Sequence, residues 1–238
     1  MTALRIAENL QHVRDRIAAA ARRSGRSPDE ITLVAVTKYV GAAEARALVK
    51  AGCHDLGESR PQELWRKAAE LTHEAVRWHF IGHLQRNKLA RTAPLISWLH
   101  SGDSLRLLEA VSAEGAGRGA PISALLEINV SGDATKHGFH PEEIEPLGES
   151  LAMFGGIAIR GLMAMAGREG GPDDARRDFA RLRKLRDRLQ SAWAGRFELK
   201  ELSMGMSGDY EIAIEEGATF VRVGSALFEG ATPDDIRP

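Results

Sequence analysis

The chain has 238 residues, 43% apolar and 27% charged, with a formal net charge of −1 and one cysteine. This length suits a single α/β barrel domain spanning 1–238, and the composition supplies an ordinary globular core. Near-neutral charge offers no broad field for nucleic acid or an anionic membrane, and a lone Cys53 excludes a disulfide framework and a thiolate-rich zinc site.

The N-terminal segment MTALRIAENLQHVRDRIAAAARRSG reads as an amphipathic helix, with Leu4, Leu10, Val13 and Ile17 near helical spacing and Gly25 as its stop. Its scattered charges are unlike the compact apolar stretch of a signal peptide. No later run approaches the ~20 apolar residues of a membrane helix. A cytoplasmic protein without membrane association is the expectation.

From residue 31 onward, short apolar runs alternate with helical patterns. Strands are predicted over residues 31–37, 54–58, 77–82, 95–101, 123–131, 159–165, 201–205 and 220–224. Segments such as AAEARALVKAG, PQELWRKAAEL and DSLRLLEAVSAEG fill the gaps with helical patterns. Runs such as LVAVT and ALLEINV are apolar without alternation, as parallel strands covered on both faces are. Eight βα units imply a closed (β/α)8 TIM barrel with an extra N-terminal helix, and a doubly wound open sheet is the alternative. The loosest stretch, residues 167–174, is expected as a loop on the catalytic face. The arginine-rich helix after it carries a stripe of Phe179, Leu182, Leu185 and Leu189, which suits a solvated outer helix better than a nucleic-acid surface.

Lys38 directly follows LVAVT, so a barrel would deliver it to the active-site mouth. Partial desolvation there favours the neutral amine, which can form a Schiff base with an aldehyde. A lysine snorkelling to solvent from a strand end is the plainer alternative. LSMGMSGD places Ser203, Gly205, Ser207 and Gly208 beyond the seventh strand, and FVRVGSALF places Gly224 and Ser225 beyond the eighth. Small residues ahead of helix starts expose N–H groups that suit a phosphate, although they also serve as common turn and cap residues. Phe220, Arg222 and Gly224 share one strand face, so Arg222 points into the mouth if Gly224 lines it. An arginine facing a pyridine nitrogen would leave that nitrogen unprotonated, and a salt bridge to a residue such as Glu127 is the alternative.

VAVTK, LGESRPQE, WHFIGHLQRNK, INVSGDATKHGF, RGLMAM, LSMGMSGDYEIAI and VRVGSALF run in that order through nearly the whole chain. In these motifs it resembles the YggS/PROSC family of pyridoxal phosphate homeostasis proteins, which are similar to the barrel domain of alanine racemase without its β-rich domain. The resemblance implies a fold-type III barrel and pyridoxal 5′-phosphate as cofactor. It further implies Lys38 as the Schiff-base lysine, a phosphate held by Ser203, Gly224 and Ser225, and Arg222 at the pyridine nitrogen. It also implies a monomer that buffers or supplies the cofactor, with dependent apoenzymes as recipients and no established turnover. Two departures stand out. The family's asparagine after Gly57-Glu58 is Ser59 here, a shorter cofactor-side hydroxyl, and its IFG ending reads Leu227-Phe228-Glu229-Gly230, adding an acid at the phosphate end.

His79 and His83 straddle a strand-to-loop junction, with neither a cysteine nor an acidic pair beside them, so no metal is expected. His83 is instead expected as a loop residue near the cofactor. A racemase, the enzymatic alternative, needs an acid or base on each face of the substrate carbon. The chain has two tyrosines. Tyr39 would point away from Lys38 if the strand continued, and Tyr210 opens a helix, so a carrier is the preferred reading.

Overall fold

In the computed structural model, which describes residues 2–133, 135–167 and 170–231, the eight apolar runs become eight parallel strands closed into a barrel. They are β1 (Thr32–Val36), β2 (Asp55–Glu58), β3 (Arg77–Phe80), β4 (Ile96–Gly102), β5 (Ile122–Glu127), β6 (Ile157–Met163), β7 (Glu201–Ser203) and β8 (Phe220–Val223). Each pairs with the next, and β8 returns to β1 with Val34 opposite Arg222 and Ala35 opposite Val223. Met1, residues 168–169 of the predicted 167–174 loop and residues 232–238 of the predicted domain lie outside the described residues.

Helices cover the barrel: α1 (Thr2–Arg23), α2 (Ala42–Lys50), α3 (Pro61–Glu70), α4 (Arg86–Thr92), α5 (Leu105–Gly117), α6 (Gly148–Ala152), α7 (Pro172–Ala192), α8 (Tyr210–Glu215) and α9 (Ser225–Phe228). The buried stripe of α1 is Ile6, Leu10, Val13, Ile17 and Ala20, at alternating steps of four and three. Leu4 does not belong to it. It lies two residues before Ile6, most of a half-turn around the helix, and is 67% exposed. Gly25 ends this segment with φ of +71°, a conformation that suits glycine.

The arginines of α7 are occupied on the protein's own surface. Arg176 pairs with Glu215 and Glu216, Arg183 with Glu216, and Arg188 with Glu145, while Phe179, Leu182, Leu185 and Leu189 are buried. Among the described residues no helix is long and apolar enough to cross a membrane.

The core has two compartments. A large shell lies between strands and helices, and a small lumen cluster of Val34, Leu125, Met163 and Phe220, with Trp98 against it, fills the barrel. At Gly161 an added Cβ would lie 1.8 Å from the Glu201 carbonyl oxygen, so the close pairing of β6 with β7 requires glycine there.

Candidate functional site

β1 stops at Val36, and a turn closes from Val40 N–H to the Thr37 carbonyl at 3.0 Å. Lys38 sits half-buried in that turn. Because the strand has ended, the side chains do not alternate as expected, and the Lys38 ammonium lies 4.7 Å above the Tyr39 ring centre. The segment is held from beneath. Thr37 N–H donates to the Gly57 carbonyl at 2.9 Å, and its hydroxyl donates to Glu58 Oε1 at 2.8 Å. Lys67 Nζ donates to the Thr37 carbonyl at 2.7 Å and forms an ion pair with Glu58. Glu58 and Lys67 are both fully buried, so this brace fixes the backbone that presents Lys38. On α3, Lys67 reads in sequence as an ordinary helix lysine, and its partner Thr37 lies 30 residues away.

Arg222 points into the lumen and is 4% exposed. Its Nη1 donates to Ser203 Oγ at 2.5 Å and its Nη2 to the Ala164 carbonyl at 3.0 Å. The described ion pairs do not include one between Arg222 and Glu127, so the salt-bridge alternative gives way to this arrangement. From Ser203 a line of contacts crosses the barrel. Ser203 Oγ is 2.8 Å from His100 Nδ1, His100 Nε2 is 2.9 Å from His79 Nδ1, and His79 Nε2 is 3.0 Å from Asp55 Oδ1. Arg77 completes the far end with a two-pronged contact to Asp55.

The titration states set the direction of this line. Burial, with His79 and Arg222 nearby, holds His100 well below the ordinary imidazole range. Burial also lowers His79, partly offset by its bond to Asp55. At Asp55 burial works upward, but His79 and Arg77 bring its carboxyl down to about 2. An ionised Asp55 only accepts, so the neutral His79 donates from Nε2 and accepts at Nδ1. His100 then donates from Nε2 and accepts the Ser203 proton, and Ser203 accepts from Arg222. Every proton points toward Asp55. Arg222, lowered by burial to about 10, remains a cation at neutral pH.

The remaining predicted residues gather at the C-terminal ends of the strands. Gly224 ends β8 beside β1, where an added Cβ would lie 3.4 Å from Val36. Its N–H donates to Ser207 Oγ at 3.1 Å, which ties the turn after β7 to the turn after β8. Ser225 is exposed at the start of α9. Ser59 is half-buried after β2, where a Cβ on Gly82 would lie 2.8 Å from its own Cβ. Ser203 is different. Its hydroxyl is fully buried below the mouth and engaged by Arg222 and His100. Glu229 is exposed after α9, and its carbonyl accepts from Asn9.

His79 lies in β3 and His83 in the loop after it, on either side of the strand-to-loop junction. The first lies in the lumen line, whereas the second lies outside it, with Nδ1 2.7 Å from Asp103 Oδ2. Burial, followed by the Asp103 charge, raises the nearby Glu127 carboxyl to about 7. A cavity of about 490 Å³ lies at the opposite, N-terminal end of the strands, against Thr32, Asp55, Arg77 and Phe220. The surface end of the lumen line borders that cavity, and Lys38 does not.

The alanine racemase N-terminal domain family matches residues 8–232. The pyridoxal phosphate homeostasis protein of Pseudomonas aeruginosa is 41% identical over 223 residues, or 94% of each chain. That of Escherichia coli is 37% identical over 230 residues, or 94% of this chain and 95% of its own. PipY of Synechococcus elongatus, solved with PLP bound, is 33% identical with a TM-score of 0.83, covering 94% of this chain and 99% of PipY.

Replacing Lys67 by Met should cost about 3–5 kcal/mol in urea unfolding, because Glu58 then stays buried without its cation. Loss of less than about 1 kcal/mol would mean that the brace is not what holds this turn. The lumen imidazoles predict a pH dependence. With folded values below the usual 6.5, the unfolded chain binds protons there that the native chain does not, so their stability contribution is lost as pH falls below about 6.5. Glu127, raised to about 7, acts oppositely between 4.5 and 7, where the native state holds the extra proton. In a Glu127→Gln background the unfolding free energy should therefore fall from pH 7 toward pH 5. A rise over that interval would contradict neutral imidazoles in the lumen.

Proposed function

The chain belongs to the pyridoxal phosphate homeostasis proteins of the alanine racemase N-terminal domain family, and from that premise we propose that it holds pyridoxal 5′-phosphate as a Schiff base on Lys38. One observation carries the reading. Paired strands β1 and β8 bring a half-buried primary amine, a buried guanidinium and a turn of small residues to one seam of the barrel mouth. An aldehyde, a pyridine nitrogen and a phosphate are the groups those three suit, and one small molecule carries all of them.

Lys38 would supply the amine that holds the cofactor's aldehyde as a Schiff base, with one water released. When bound, the cofactor supplies an electron-withdrawing ring. Arg222 would meet the ring nitrogen as a donor that keeps its own proton, which would leave the ring a weak electron sink. Gly224 and Ser225 would hold the phosphate, together with Ser207, whose hydroxyl already ties the two turns. Ser203, given to the phosphate by resemblance, instead supports Arg222 from below. Ser59 borders the ring side from the end of β2.

A carrier suits this mouth better than a racemase. Tyr210 is buried beneath Arg16 of α1, whose guanidinium carbon lies 5.3 Å from its ring centre, and so faces the helical shell. Tyr39 is 41% exposed and sits under the Lys38 ammonium itself. Neither tyrosine occupies a face opposite Lys38, where a second proton-transfer group would stand. With the family resemblance, this supports the reading of a cytoplasmic, monomeric, single-domain reservoir that passes cofactor to dependent apoenzymes.

Freshly purified protein should be coloured. Borohydride should fix one cofactor per chain on the peptide containing Lys38, and Lys38→Ala should carry no fixed adduct. An adduct on another lysine of the wild-type chain would overturn the assignment. Holo-protein given D- or L-amino acids in deuterated water should show no rapid Cα exchange, whereas fast exchange would favour the racemase.

A further inference from the structure

Across the barrel mouth from the β1–β8 seam, a second group of side chains converges. His83 lies between β3 and α4, Asp103 directly follows β4, and His137 lies in the segment after β5. Three successive strands thus each send one potential ligand to a single place. One ligand atom from each lies within 4.8 Å of the other two. The two imidazoles stack at 4.4 Å between ring centres, 16° from parallel.

Charge favours a cation at this point. The Asp103 side chain is 5% exposed and pairs with His83 at 2.7 Å. Its other oxygen accepts from the Ser104 hydroxyl at 3.1 Å. Glu127 adds a second buried carboxyl close by, next to Gly138, where an added Cβ would lie 3.1 Å from Glu127 Cγ. A carboxylate taken out of water, as Asp103 is, needs compensating charge or hydrogen bonds, and a bound cation supplies that charge.

We propose that His83, Asp103 and His137 bind one divalent transition-metal ion of the zinc class, through two imidazole nitrogens and one carboxylate oxygen. Ligand atoms on tetrahedral zinc stand about 3.3 Å apart, so the three close onto an ion through side-chain rotation of about an ångström. His83 and His137 are exposed enough to make that movement. Three protein ligands leave a fourth position for water at the open mouth. Two nitrogens disfavour magnesium and calcium, and the lack of a thiolate disfavours copper(I). Cys53, buried at 4% exposure, does not compete for the ion.

The test titrates zinc chloride into full-length protein as purified, after treatment with a chelator, by calorimetry. Cobalt(II) absorbance reports the geometry. One equivalent should bind with the d–d bands of a tetrahedral site. Asp103→Asn and His137→Gln should each weaken zinc binding at least about tenfold, since even outer partners of metal ligands contribute that much. His73→Ala, on the surface away from the cluster, should leave affinity unchanged, and far-UV circular dichroism checks that each variant is folded. Absence of zinc uptake by the wild-type protein, or equal affinity in folded Asp103→Asn and His137→Gln, would overturn the proposal. Cofactor colour and borohydride trapping are read separately, so either result leaves the Lys38 assignment standing or falling by itself.

Discussion

A closed eight-stranded barrel has a lumen just wide enough for side chains, so a polar group inside it depends on partners from other strands. Here that constraint is met by the line from Arg222 through Ser203, His100 and His79 to Asp55, drawn from β8, β7, β4, β3 and β2. Each of the two neutral imidazoles donates once and accepts once, so one ionised carboxylate suffices to choose both tautomers. Such a network is stable because it is complete, since one missing partner would leave a buried polar atom with the full cost of desolvation. Phe220 packs edge-on against both imidazoles and Trp98 edge-on against that of His100, with their own ring centres 5.0 Å apart. The guanidinium at the mouth therefore stands where the interior dictates.

The amine beside it is positioned by different means. Lys38 lies in a turn, and turns are easily displaced, but the residue before it is gripped by a buried lysine and a buried glutamate. The two lysines near Thr37 have opposite roles. Lys67 is held in place by Glu58, while Lys38 keeps access to the mouth. Gly205, with φ of +90°, contributes on the β7 side. Its carbonyl accepts from Arg222 N–H at 3.0 Å, and a Cβ there would lie 2.5 Å from that of Ala213.

Local pattern carried the fold and half of the site. Apolar runs ending in small or polar residues marked all eight strands, and strand parity alone turned Arg222 and Gly224 to one face. Parity failed at Tyr39 because β1 ends two residues before Lys38. Helical spacing failed at Leu4 because Ile6 sets the phase of α1. What stayed illegible was long-range pairing. Ser203 meets His100 across 103 residues, and no local motif at either position distinguishes a lumen serine from a phosphate-loop serine. His83 meets Asp103 across 20 residues in the same way. The strand-to-loop junction between His79 and His83 was legible, and it sends the two histidines to different places.

The N-terminal helix lies against α8 and α9. Asn9 donates to the carbonyls of Leu227 and Glu229, Arg16 reaches Glu211, and Arg23 reaches Glu211 and Glu215, while β1 pairs with β8. On a ribosome the first of these partners emerges some two hundred residues before the last, so its apolar stripe waits for a surface not yet made. Loop closure of this span is the entropic step that slows folding of high-contact-order chains. The seam holding Lys38 and Arg222 joins the first strand to the eighth, so the amine and the guanidinium come together only when the barrel closes.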